Sequence, residues 1–147
     1  MPQKTVSVSA TRAAHELRVA VGRLRRRFRE LHDPSELSPS ATSVLSRLSK
    51  DGPATASELA TAERVRPQSV AAVLATLDGQ GLIERRRDPG DGRRQLVSLS
   101  PAGRELVTDR RRAGEEWLAR ALQDHFTEAE RRTLLEATAL LERLSGA

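Results

Sequence analysis

Cysteine and tyrosine are absent from this 147-residue chain, and Phe28, Phe126 and Trp117 are its whole aromatic complement. Without cysteine there is no disulfide, no thiolate metal site and no thiol redox chemistry. With aromatics at 2%, the core falls to Leu, Val, Ala and the single Ile83, side chains better suited to helix packing than to a β-sandwich. There is no run of eighteen apolar residues and no apolar leader with a cleavage site, so neither membrane insertion nor export is expected, and the expected location is the cytoplasm. A Gly-rich phosphate loop, a Cys nucleophile and a paired His/Glu motif are also missing, so an enzyme is not expected. His15, His32 and His125 lack metal-ligand spacing, and neither a metal nor a cofactor is expected.

What the chain does have is basic charge: 25 Lys and Arg against 20 Asp and Glu, a net +5 with a pI near 11.0. A balance of that sign favours nucleic acid or another anionic partner and says nothing about fold. Seven Arg and two Glu lie between Arg12 and Leu31, which gives that segment alone 7 − 2 = +5. Its cluster Arg23, Arg25, Arg26, Arg27 and Arg29 reads as a solvated helix face or as a set of phosphate contacts.

Apolar residues at Ala14, Leu17, Val21, Leu24, Phe28 and Leu31 alternate by three and four, the seam of a long helix that ends before Asp33-Pro34. Residues 1 to 7 are polar and unpatterned. Ser38-Pro39 opens a second helix, with serine as N-cap and proline at the first helical position, and Leu37, Ala41, Val44, Leu45 and Leu48 mark its buried face. Gly52-Pro53 closes it.

The stretch Thr55 to Ser100 organises the rest. Thr55-Ala-Ser-Glu58 is a capping box opening a short helix. After a connection through Arg64 and Val65, Pro67 starts a helix whose Val70, Val73, Leu74 and Leu77 face inward, ending at Gln80-Gly81 with Gly81 in the left-handed conformation. Leu82 to Arg87 and Gln95 to Leu99 read as strands joined by the turn-forming Asp88-Pro-Gly-Asp-Gly-Arg93. Ser100-Pro101 begins a long helix to about Leu122, and the capping box Thr127-Glu-Ala-Glu130 begins the last one, carrying Leu134, Leu135, Leu141 and Leu144. The expected fold is mainly α with a small β-hairpin wing: a winged helix-turn-helix over 36–100, flanked by long terminal helices over 8–35 and 101–147 in a single domain.

This arrangement resembles the MarR family of bacterial transcriptional regulators. The residues that carry the likeness are Gly81-Leu82-Ile83-Glu84-Arg85, the wing Asp88-Pro-Gly-Asp91-Gly-Arg93 followed by Leu96-Val97-Ser98-Leu99-Ser100, and Gly103 just inside the next helix. The resemblance implies a homodimer built by the terminal helices, two winged helices on a pseudo-palindromic duplex operator, a repressor's role, and release by a small aromatic or anionic effector. A winged helix used as an architectural or protein-interaction module is the alternative. Lack of cysteine excludes the family's thiol-based peroxide sensors.

Within that reading the DNA-binding candidates are Arg64 and Arg66 at the turn, Gln68, Ser69 and Thr76 on the recognition helix, and Arg86, Arg93 and Arg94 on the wing. Arg93 stands first, since a cation at a hairpin tip suits the minor groove, with an internal pair to Asp91 as its other reading. Neighbours such as Arg86 and Arg87 cannot both face DNA from one strand. Many relatives carry Thr-Arg in mid-helix, where this chain has Ala71-Ala72, and no charge occurs from Pro67 to Leu77. Between residues 53 and 100 seven Arg meet six acids, so charge placement matters more than charge total. The dimer candidates are Leu17, Val21, Leu24, Leu134, Leu141 and Leu144. By analogy with the family alone, His15, Arg47 and Trp117 are candidates for lining an effector pocket.

Overall fold

The computed structural model describes residues 5–32 and 36–146. The chain divides into two compact units, Met1–Thr108 and Asp109–Ala147, and the division falls within one helix.

In the first unit, α1 (Val8–Glu30) starts behind Ser7, whose hydroxyl accepts the Ala10 N–H at 3.2 Å. It therefore begins six residues ahead of Ala14, the start of the apolar seam. The expected stop at Asp33-Pro34 lies outside the described residues, and the helix already ends at Glu30 with Leu31 as its C-cap. Helix α2 (Pro39–Asp51) is capped by Ser38 and ended by Gly52 at φ 82°.

Two residues then form a strand, β1 (Ala54–Thr55). Thr55 is at once its last residue and the N-cap of α3 (Ala56–Glu63), where both halves of the capping box are made. Helix α4 (Pro67–Gly79) leads through Gly81, at φ 70°, into β2 (Ile83–Arg87). Leu82, expected in the strand, sits in this turn. Strand β3 (Gln95–Leu99) returns antiparallel, pairing Ile83 with Leu99 and Arg87 with Gln95. β1 adds to the far side of β3 through Ala54–Val97 and Thr55–Leu96, so the sheet has the order β1-β3-β2 rather than two strands.

Every buried apolar residue among the described ones lies in this unit. Leu45, Leu59, Leu74, Leu77, Val44, Val70 and Val97 are fully buried, and they come from α2, α3, α4 and β3. Val73, expected inward, is half-buried against them. The 4-residue and 3-residue spacings of α4 put Val70, Leu74 and Leu77 on one stripe and leave the opposite face in water. Leu106 and Val107, from the start of α5 (Pro101–His125), close the core on one side.

The second unit holds the rest of α5, which runs three residues past the expected Leu122, and α6 (Glu128–Ser145). Thr127 and Glu130 form the expected capping box. Arg131 on α6 donates to the carbonyls of Leu122 (3.1 Å) and Phe126 (2.8 Å), tying the two helices at their junction. Neither α1 nor α6 has a buried residue.

Candidate nucleic-acid interface

The turn between α3 and α4 is made by Arg64 in the left-handed conformation, φ 55° and ψ 42°, the position a glycine commonly takes after a helix. The Val65 N–H returns to the Ala60 carbonyl at 3.1 Å. Arg66 then takes the N-cap position of α4 with extended backbone, and its side chain does not cap. Both guanidinium groups are left exposed beside the first turn of α4.

This turn is anchored from behind. Glu63, the last residue of α3, accepts from Arg47 Nε at 2.7 Å and from the Ser43 hydroxyl at 2.7 Å, both on α2. The Arg47 hydrogen bond, and after it that of Ser43, hold the Glu63 carboxyl below its ordinary range. Glu63→Ala leaves both donors without their acceptor and should cost about 1–2 kcal/mol of stability. Because the folded-state pKa is depressed, the contribution is complete above the unfolded-state value and is lost as pH falls through the folded one. Urea titrations should therefore separate wild type from Glu63→Ala near neutral pH and bring them together in acid; a constant gap at every pH would show that the carboxylate charge is irrelevant.

The wing is ordered by its two aspartates. Asp88 Oδ1 accepts the Gly90 N–H at 2.9 Å, and Asp91 Oδ1 accepts the Arg93 N–H at 3.0 Å. Such side-chain-to-backbone bonds two residues on are what Asp brings to turns. Asp91 thus shapes the loop through the backbone of Arg93, and among the described residues no carboxylate pairs with the Arg93 guanidinium. Arg94, still exposed, pairs with Glu58 on α3 and lies 3.8 Å from Asp88. Glu58 is held below the ordinary carboxylate range by the Thr55 backbone N–H, with Arg94 adding to it. One carboxylate therefore caps α3 and fastens the wing to it. Arg85 performs the matching task on β2, donating to Asp78 of α4 at 2.7 Å.

With Arg94 and Arg85 so engaged, Arg64, Arg66, Arg86, Arg87 and Arg93 remain exposed and without ion pairs among the described residues. Strand alternation sets Arg86 on the face opposite Ile83 and Arg85. Arg93 borders an open groove of about 520 Å³ with Ser57, Glu58, Arg85 and Gln95. On α4, Gln68 and Ser69 are exposed at the first turn, and the Thr76 hydroxyl donates back to the Ala72 carbonyl at 3.2 Å. The unit therefore offers a helix uncharged from Pro67 to Leu77, flanked by free cations.

The effector candidates are less gathered. Arg47 borders a cavity of about 650 Å³ along α1 and α2, with Arg25, Arg29, Lys50 and Phe28 also on its walls. His15 is exposed on α1 and is not among those walls, and Trp117 is half-buried in the second unit. The pairs Glu58–Arg94 and Glu63–Arg47 were missed by sequence reading. Glu58 was legible as a cap, but nothing local ties it to an arginine 36 positions away.

Residues 37–94, the span from the first core leucine to the wing arginines, match the model of the MarR family. An HTH-type transcriptional regulator of Mycobacterium tuberculosis is 45% identical over 114 residues, covering 78% of this chain and 80% of that one. The chain belongs to the MarR family. It is a helix-turn-helix transcriptional regulator. The whole described architecture has solved counterparts. A Pseudomonas aeruginosa protein described as a transcriptional regulator is 39% identical with a TM-score of 0.82, over 95% of this chain and 98% of its own. Bordetella bronchiseptica BpsR, whose DNA binding is regulated by 6-hydroxynicotinic acid, is 26% identical with a TM-score of 0.64, over 98% and 99%. Among the described residues no helix of this MarR-family chain is long and apolar enough to cross a membrane, and no group of three or more His, Asp or Glu could hold a metal.

Proposed function

We propose that this MarR-family chain is a cytoplasmic homodimeric repressor. It lays two α4 helices in major grooves of a pseudo-palindromic operator and is released by a small aromatic or anionic compound. The observation that carries the DNA-binding surface is the charge placement. Arg64, Arg66, Arg86, Arg87 and Arg93 surround α4 and the wing with no carboxylate among the described residues to satisfy them. Gln68 and Ser69 supply base-edge or phosphate hydrogen bonds from the first turn of α4, Thr76 adds a contact further along, and Arg93 enters the minor groove. Arg94 acts by holding the wing. Selecting bound duplexes from a random pool should return one two-fold-symmetric site. Its affinity should exceed that for unrelated duplex by about 10³-fold or more at fixed salt. Equal binding of all duplexes would favour an architectural module instead.

The dimer rests on what the terminal helices leave uncovered. Val21 is 43% exposed, Leu24 is also exposed and Leu17 half-buried on α1, while Leu134, Leu141 and Leu144 are exposed on α6, Leu144 at 61%. Seams of that length are what helix-to-helix association between subunits covers. A two-fold pair would set its recognition helices roughly 34 Å apart or a multiple of that. Sedimentation at micromolar concentration should give a dimer, and Val21→Glu with Leu141→Glu a monomer; a wild-type monomer would refute the arrangement. The effector reading is supported by the cationic cavity at Arg47 and by the BpsR precedent.

A further inference from the structure

The exposed face of α4 carries chemistry that the flanking arginines do not explain. At 100° per residue, Gln68, Ala72, Ala75 and Gly79 fall within about 60° of arc. They lie opposite the buried stripe Val70, Leu74 and Leu77. Ala71, Ala72, Ala75 and Thr76 are all exposed, and Thr76 turns its hydroxyl back to the Ala72 carbonyl. From Pro67 to Leu77 there is no charged side chain. A helix seated in the major groove with this face could form at most one or two base-edge hydrogen bonds, from Gln68 and Ser69. Beyond them the face offers the methyl groups of Ala72 and Ala75 and the bare backbone of Gly79.

The major groove offers one apolar group, the 5-methyl of thymine, and alanine and threonine methyls are its usual contacts. Resting on the reading of α4 as a recognition helix, we infer that Ala72 and Ala75 determine specificity by packing on thymine methyls. The operator half-site would then carry thymines close to the base read by Gln68. From Gln68 to Ala75 the helix advances about 10 Å, which spans roughly three base steps. The absence of a long side chain at these positions is what lets the helix backbone come close enough for methyl-to-methyl contact. An arginine or glutamine there would hold the helix off and read guanine or adenine edges instead.

The test needs no altered protein at first. In the half-site recovered by selection, each thymine is replaced singly by deoxyuracil, which removes the methyl and leaves the hydrogen-bonding edges unchanged. At one or two positions within about three base steps of the Gln68 contact, affinity at fixed salt should fall about fourfold, the ratio that corresponds to one buried CH2-sized group. Ala72→Ser and Ala75→Ser should each erase the thymine-over-uracil preference at one position and leave the other intact, a coupling that a merely helix-forming alanine would not produce. A preferred site that tolerates uracil at every thymine would overturn the methyl contacts while leaving sequence-specific binding in place. A pool with no preferred site would overturn both.

Discussion

Gly103→Ala is expected to destabilise the winged unit by about 3 kcal/mol or more, at the upper end of what a single added methyl does in a packed interior. A Cβ on Gly103 would stand 2.0 Å from the Leu82 carbonyl oxygen and 3.0 Å from its carbon. Both atoms are backbone, so no side-chain rotamer can relieve the overlap. The Leu82 carbonyl is also held in place: it accepts the Ser100 N–H at 3.0 Å. The Ser100 hydroxyl in turn donates to the Gly81 carbonyl at 2.6 Å and accepts the Gly103 N–H at 3.0 Å. These bonds join the start of α5 to the turn where α4 passes into β2. To admit a methyl, α5 must withdraw, and buried Ser100 and the half-buried Leu106 and Val107 withdraw with it.

Chemical or thermal denaturation would measure the loss, and Gly79→Ala supplies the comparison. A Cβ at Gly79 meets nothing within 4 Å, so alanine there should leave stability unchanged or raise it by up to about 1 kcal/mol through helix propensity. A Gly103→Ala protein as stable as wild type would mean that α5 does not pack on the Leu82 turn in solution. DNA binding should weaken along with stability, since the same turn fixes the angle between α4 and the wing.

Gly103 also marks what the sequence could disclose. As part of a family signature it was readable, and its reason was not: the partner it lets approach is Leu82, 21 residues back, and close approach leaves no local pattern. Local features were legible throughout. The capping boxes at Thr55 and Thr127, the Ser38-Pro39 start and the turn glycine Gly81 all depend on residues within four positions, and each forms as expected. Strand β1 was not legible, because two residues are too few for an alternating pattern and Thr55 was already accounted for as a cap. The candidate site divides along the same line. That Arg93 sits at a hairpin tip follows from its neighbours, whereas the ion pair that engages Arg94 depends on Glu58, far away in sequence. The arginines were visible one by one, but which of them have carboxylate partners is a property of the tertiary structure.

That partition makes Arg93→Ala the most informative change for DNA binding. Its expected result is a loss of operator affinity of about 10- to 100-fold per dimer, the scale of one to two desolvated arginine contacts. The slope of log affinity against log salt should fall by about one for each Arg93 that replaces counterions. The fold should not change, for a specific reason. The wing loop is closed by the Arg93 backbone N–H on Asp91 and by the Asp88 N–H on the Arg94 carbonyl, 2.9 Å apart, and alanine keeps both bonds. The Arg93 guanidinium holds no other described residue in place, so an affinity change can be assigned to the lost contact. Asp91→Ala is the reciprocal experiment, since it keeps the cation and removes the acceptor that sets the loop. If minor-groove entry depends on a preformed tip, Asp91→Ala should also weaken binding yet leave the salt slope near its wild-type value. Affinity unchanged by Arg93→Ala at physiological salt would remove the wing from the DNA interface. Contact would then fall to Arg64, Arg66 and the neutral face of α4.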